Sequence, residues 1–213
     1  MDFDSLLELT GTQPSFELGL LVQAFAEGRE GIRVQLSRWM KQGRVIGLRR
    51  GHYALAERYR RVTVTAEAMA GSLYRPSYLS GLWALGFHDL IPERVVRFTS
   101  VSPRSPQTFE NPFGVFEYRN IKQECFFGYQ KVAQSSGGFF VAEPEKALLD
   151  HWHLTPGEWD GDRLEEMRYQ HHERVDASRL QAYAGRFHSP RLARAAACWL
   201  RLADDAEKGT VTL

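Results

Sequence analysis

The stretch that decides the reading runs from Arg29 to Leu55, REGIRVQLSRWMKQGRVIGLRRGHYAL. Its first half predicts a helix from about Arg29 to Gln42, because Ile32, Leu36, Trp39 and Met40 fall in one stripe at helical spacing and Gly43 supplies a C-terminal stop. At about 100° per residue, Arg33, Val34, Ser37, Arg38 and Lys41 share the opposite, outward side. After Gly43 the period changes. Val45-Ile46-Gly47-Leu48-Arg49 and His52-Tyr53-Ala54-Leu55 flank an Arg50-Gly51 turn, which predicts a β-hairpin.

Working outward, residues 2 to 10 read as a short helix with Phe3, Leu6, Leu7 and Leu9 apolar, stopped by Gly11. Ser15 is the expected N-cap of a second helix, in which Phe16, Leu20, Leu21 and Ala24 recur until Gly28. Three short helices and a basic hairpin describe a winged helix-turn-helix over residues 1–60. Such a unit reads a groove by presenting guanidinium and hydroxyl groups to base edges while the hairpin tip meets backbone phosphate. The expected DNA-contacting set is Arg29, Arg33, Val34, Ser37, Arg38, Lys41, Arg44, Arg49, Arg50 and His52. Within it, Arg33 and Arg38 suit bidentate guanine contacts, Lys41, Arg49 and Arg50 suit phosphate, and His52 stands on the wing. Val34 has two readings, against a thymine methyl or packed on the second helix.

The charge distribution points the same way. The 213 residues hold 27 Lys and Arg against 26 Asp and Glu, a net charge of +1 that hides a strong asymmetry. Residues 1–27 carry −5, residues 28–61 carry +8, and the remainder carries −2. A basic block with neutral or acidic neighbours is the footprint of a surface that neutralises phosphates. The competing reading is a solvated helix face. Arg58, Arg60 and Arg61 either extend the phosphate surface or solvate a connector.

Composition sets the outer limits. With 43% hydrophobic and 25% charged residues the chain is ordinary globular material, long enough for two small domains, and collagen, coiled coil and wholesale disorder are excluded. No window approaches about 18 consecutive apolar residues and the start Met1-Asp2-Phe3-Asp4 lacks a positive n-region, so a cytoplasmic location is expected. Cys125 and Cys198 are far apart without metal-ligand spacing and read as buried, inert thiols.

Residues 61–213 read as a second, α+β domain with a helical C-terminal part, making the whole chain α+β. An extended Val62 to Thr65 leads into a small helix. Pro76-Ser77 is expected to open a helix through Tyr78, Leu79, Leu82, Trp83 and Leu85, closed by Gly86. Val95 to Val101 and Gly114 to Ile121 alternate as strands, with Ser102 to Pro112 between them as a loop. Phe126 to Val132 and Gly138 to Val141 supply short strands around a Ser135-to-Gly138 turn. Helices are expected over Pro144 to His153, Arg163 to His171 and Ala177 to Ala184, with a last one opened by Ser189-Pro190.

No phosphate-binding glycine loop, dinucleotide fingerprint, His-Glu-x-x-His or Gly-x-Ser-x-Gly motif occurs. His151 with His153, and His171 with His172, have no spacing that converges on a metal. Glu143, Glu145, Lys146 and Asp150 cluster at one helix start. A nuclease would recruit two such carboxylates for a metal; the plainer reading is acids in a first helical turn and an i,i+4 ion pair. Trp83, Phe98, Phe116, Tyr118, Phe126, Phe127 and Phe139 sit at alternating or striped positions and are expected in the core, with a single-strand stacking platform as the sharper alternative. The expectation is therefore a non-enzymatic protein without metal or cofactor.

The succession of blocks resembles the AbiE-type antitoxins (AbiEi) of type IV toxin–antitoxin systems in bacteria. It is carried by LSRWMKQGRVIGLRRGHYAL (Leu36 to Leu55), PSYLSGLWALGFHDLIPE (Pro76 to Glu93), VFEYRNI (Val115 to Ile121) and AEPEKALLDHW (Ala142 to Trp152). The strand region from Cys125 to Lys131 departs from the family pattern. The resemblance implies a repressor of its own operon that recognises promoter repeats in double-stranded DNA. It also implies a C-terminal domain that counteracts a nucleotidyltransferase-like toxin without requiring a stable complex. Two other classes stay open: an enzyme that cuts or modifies nucleic acid through its C-terminal domain, and a winged-helix module that binds protein.

Overall fold

A computed structural model describes residues 1–134 and 138–210. The chain is a mixed α+β protein ending in a long helix. The N-terminal part runs α1 (Phe3–Thr10), β1 (Phe16–Glu17), α2 (Leu18–Ala24), α3 (Arg29–Lys41), β2 (Val45–Arg49) and β3 (His52–Leu55). Asp2 caps α1 by accepting from the Ser5 N–H at 2.8 Å. Helix α3 places Glu30 in its first turn and Arg38 and Lys41 in its last, matching the helix dipole. It stops where Gly43 adopts φ +65°, which lets the Arg44 N–H reach back to the Trp39 carbonyl at 2.9 Å. The turn between β2 and β3 passes through Gly51 at φ +74°.

Residues 16–17 form an edge strand instead of the expected first turn of a helix, so Ser15 caps nothing. The reason is tertiary: β1 pairs antiparallel with β3, Phe16 opposite Tyr53, in a three-stranded sheet of order β1-β3-β2. Ile32, Leu36 and Trp39 of α3 pack with Leu6, Phe16, Leu18, Leu21, Val45 and Leu55 into one core. Met40, expected in that stripe, is 37% exposed and lies over Gly47.

The rest of the chain continues with α4 (Ala66–Leu73), β4 (Tyr78–Leu79), α5 (Gly81–Phe87), β5 (Phe98–Ser102), β6 (Gln107–Asn111), β7 (Gly114–Asn120), β8 (Tyr129–Val132), β9 (Phe139–Ala142), α6 (Pro144–Leu154), α7 (Gly161–Glu166), α8 (Ala177–Arg186) and α9 (Pro190–Thr210). A six-stranded sheet of order β6-β7-β5-β4-β9-β8 mixes parallel pairs (β5–β7, β4–β9) with antiparallel ones. Trp83, Phe116, Tyr118, Phe127 and Phe139 are buried in the core around it, and Phe98 and Phe126 pack against that core half-buried.

Three expectations change here. Tyr78–Leu79 is a strand held between β5 and β9, and the helix begins only at Gly81. The stretch expected as a loop over Ser102 to Pro112 contains β6, which hairpins onto β7 with Phe109 opposite Phe116. The helix expected over Arg163 to His171 stops at Glu166, because Arg168 and His171 adopt φ +49° and +52°, outside the helical region. Of the two thiols, Cys125 is buried and Cys198 only half-buried. The expected Ser135-to-Gly138 turn lies largely outside the described residues. Among the described residues no helix is long and apolar enough to cross a membrane.

The β2–β3 hairpin serves two cores. Val45, Tyr53 and Leu55 face the N-terminal helices, whereas Ile46, Leu48 and Ala54 face the larger core of the sheet and its helices. This double burial fixes where the side chains of the hairpin point.

Candidate nucleic-acid interface

Helix α3 buries Ile32, Leu36 and Trp39, so its opposite side is necessarily outward. Arg29, Val34, Ser37, Arg38 and Lys41 are all exposed there. Val34, at 47% exposure, is an open surface position outside the core. Arg33 is half-buried and ion-paired with Glu30 at 3.3 Å, an exposed i,i+3 contact worth a fraction of a kcal/mol and readily exchanged for another anion. From Arg33 to Lys41 the face extends about 12 Å along the helix axis.

Beside this face, α3 and the hairpin enclose an open groove of about 590 Å³. Arg33 and Met40 line it from the helix and Gly47, Arg49, Arg50 and Tyr53 from the hairpin. Gly47 keeps the floor low: a Cβ there would stand 3.2 Å from the Met40 Sδ. Arg50 is exposed at the hairpin tip. Among the described residues the side chains of Arg29, Arg38, Lys41 and Arg50 have no hydrogen-bond, ion-pair or cation–π partner. Four cations without internal anions leave a positive potential that a solvated, paired surface would not have.

Three members of the expected set are held elsewhere. Arg44 is half-buried with its guanidinium over the Phe3 ring, 5.0 Å from the centroid. Arg49 borders the groove, but its guanidinium is anchored elsewhere. Its Nε donates to the Leu73 carbonyl at 2.8 Å, its guanidinium lies 5.6 Å from the Phe109 centroid, and Glu17 stands 3.5 Å from Nη2. His52 is 2% exposed and shares a 2.7 Å hydrogen bond with the Ser15 hydroxyl. For Arg49 the cause is a β-bulge. Gly47 pairs with Tyr53, but Arg49 pairs with His52, so Leu48 is an extra residue in β2. Strict alternation would put Arg49 on the same face as Val45 and Gly47; the bulge moves it to the face of Leu48 and Ala54, against the second core.

Burial pushes the His52 pKa down to about 4, helped by Arg49 and Arg75 and opposed by Glu17. The ring is therefore neutral at pH 7. Of the connector arginines, Arg60 donates to the Leu55 carbonyl at 2.8 Å and covers Phe113, and Arg58 lies over Tyr59, so neither extends the α3 surface.

The Glu143–Asp150 cluster is internal. Lys146 and Asp150 are fully buried and ion-paired, with Tyr78 and Ser80 hydroxyls donating to Asp150 Oδ2 at 3.0 and 2.7 Å. The Lys146 ammonium is ringed by Tyr78, Phe127 and Phe187. Glu145 accepts from the Asp176 N–H at 2.7 Å and Glu143 accepts from the Tyr183 hydroxyl at 2.7 Å. The expected i,i+4 pair of Lys146 and Asp150 forms, and the further contacts, which the sequence did not indicate, tie α6 to the sheet and to α8. Burial also lowers the pKa of His151, to about 4, and that of His153. Among the described residues no group of three or more His, Cys, Asp or Glu side chains is placed to hold a metal.

Sequence reading missed Arg75 and Arg104. Both line a second polar cavity, together with Arg49 and His52, although they stand in loops of the second part of the chain. Nothing in their local sequence marks them, since the cavity forms only when the hairpin docks. No protein-family model and no curated protein matches this chain.

Proposed function

We propose that residues 1–60 form a winged helix-turn-helix that binds double-stranded DNA, with α3 in the major groove and the Arg50-Gly51 tip on the backbone. The observation that carries this reading is the set of exposed, unpartnered cations Arg29, Arg38, Lys41 and Arg50 around one helix face and its adjoining groove. Arg33 and Arg38 read guanine edges, Ser37 and Val34 make the remaining base-edge contacts, and Arg29, Lys41 and Arg50 meet phosphate. Arg44, Arg49 and His52 leave the contact set because their side chains are engaged internally.

The resemblance to AbiE-type antitoxins supplies the biological side of the proposal: a cytoplasmic, non-enzymatic repressor of its own operon that opposes a nucleotidyltransferase-like toxin. Fluorescence anisotropy with a labelled duplex of the chain's own promoter tests the DNA part. Saturable binding that weakens with salt and is lost in Arg38→Ala/Lys41→Ala supports it, and absence of binding at low salt overturns it. Co-expression with the neighbouring reading frame tests the antitoxin part, since rescue of growth must depend on this chain.

A further inference from the structure

At the seam between the hairpin and the second part of the chain lies a polar cavity of about 570 Å³, within the size range of small-molecule sites. Three guanidinium groups line it, those of Arg49, Arg75 and Arg104, against one carboxylate, that of Glu17. Each arginine is anchored by a backbone carbonyl: Arg49 Nε to Leu73 at 2.8 Å, Arg75 Nε to Gly71 at 3.3 Å and Arg104 Nη1 to Arg75 at 2.8 Å. Arg104 also stacks on Tyr74, 4.3 Å from the ring centroid. One anchor uses one of five N–H groups, so each guanidinium is oriented while most of its donors remain uncommitted.

The wall contributes a second, independent feature. The Ser72 hydroxyl donates to the Met69 carbonyl at 3.0 Å, the Ser15 hydroxyl donates to Ser72 at 2.9 Å, and the 2.7 Å contact to Ser15 is filled by an N–H on His52 Nε2. With Ser72 turned to the Met69 carbonyl, which can only accept, the relay is completed by the Nε2–H tautomer of His52. His52 Nδ1 is left as a bare acceptor, buried and without a hydrogen-bond partner. Its neighbour, Glu17 Oε1 at 3.4 Å, is an acceptor too. Glu17 Oε1 already accepts from Arg49 Nη2 at 3.5 Å, so the unpartnered buried acceptor is His52 Nδ1, and it calls for a donor from the cavity.

We propose that this seam cavity binds a small phosphate monoester bearing hydroxyl groups, the phosphate held by Arg49, Arg75 and Arg104, one hydroxyl donating to His52 Nδ1 and another to Glu17. Guanidinium forks match phosphate oxygens better than any other side chain does. The backbone of duplex DNA offers the same phosphate chemistry but no hydroxyl, which favours the small molecule over DNA at this site. Because the ligand joins the hairpin to the loops that carry Arg75 and Arg104, it braces the seam behind the α3 surface.

Isothermal titration of the full chain with ribose 5-phosphate and, separately, methyl phosphate tests the assignment without DNA present, so its outcome is independent of the DNA proposal. Ribose 5-phosphate is expected to bind at least about tenfold tighter than methyl phosphate, the worth of one hydrogen bond involving a charged acceptor. Arg75→Gln/Arg104→Gln, two exposed positions, should weaken both probes by at least about tenfold. Glu17→Ala should bring the two affinities closer together. Binding unaffected by the double arginine substitution, equal affinity of the wild-type chain for the two probes, or no binding of ribose 5-phosphate overturns the proposal. So does displacement of ribose 5-phosphate by a short duplex, which would place DNA phosphate in the cavity instead.

Discussion

Arg49 and Arg50 are neighbours in sequence and opposites in the fold, and their alanine variants should separate two measurements. Arg50 is exposed at the hairpin tip without an internal partner. Each phosphate contact adds about 0.9 to the slope of log K against log salt, so losing one costs about eightfold in affinity at about 0.1 M salt, taking 1 M as the state in which the contact is worth nothing. Arg50→Ala should show that loss on any duplex, with an unchanged melting temperature. Arg49, with 28% of its side chain exposed, instead gives up a charge-assisted hydrogen bond to Leu73 and its position over Phe109. Together these are worth about 2 kcal/mol, and in a chain of this size the melting temperature should fall by about 4–8 °C. The salt slope of Arg49→Ala should match wild type. Anisotropy titrations across a salt series, paired with thermal denaturation, read both quantities. If the two variants flatten the slope equally while Arg49→Ala leaves the melting temperature alone, the bulge does not orient the hairpin as described.

Three further outcomes follow from the packing. His52 is held neutral, with its pKa moved from 6.5 to about 4, so the folded state binds fewer protons than the unfolded state between those values. Stability is then fully present above pH 6.5 and lost on acidification toward pH 4, by about 2 kcal/mol from this residue at about pH 5; urea midpoints that stay flat over this range contradict it. Lys146→Met strips the buried Asp150 of its counter-ion and should cost about 3–5 kcal/mol, with Lys146→Met/Asp150→Leu recovering part of it; a urea midpoint near wild type for the single variant would show that the pair is not sealed from water. Gly43→Ala forces an alanine to φ +65° and should cost about 1 kcal/mol, whereas Gly28→Ala, at φ −61° and also with open space around its Cβ, should cost less. Equal chemical-denaturation midpoints for the two glycine variants would refute the left-handed stop of α3.

Local rules carried the reading furthest where one buried stripe sufficed. Helix α3, its glycine stop and the Arg50-Gly51 turn were legible because the helical period, the left-handed C-terminal residue and the tight turn each depend on a few adjacent residues. Tyr78–Leu79 was not legible as a strand, since two apolar residues after Pro76-Ser77 fit a helix start equally well and only pairing with β5 and β9 decides between them. The polar run at 107–111 became β6 for the same reason: β7 offers it a partner edge.

By itself the sequence determined the outward cationic face of α3, because burying Ile32, Leu36 and Trp39 leaves Arg38 and Lys41 no other side to occupy. Only the tertiary structure decided which hairpin cation points outward. The extra residue at Leu48 changes the parity of β2, and the docking of that face on a second core draws Arg49 and His52 inward, where Arg75 and Arg104 meet them from distant loops. Side-chain direction in a strand is a property of register, and register is set by the partners a strand finds rather than by its own residues.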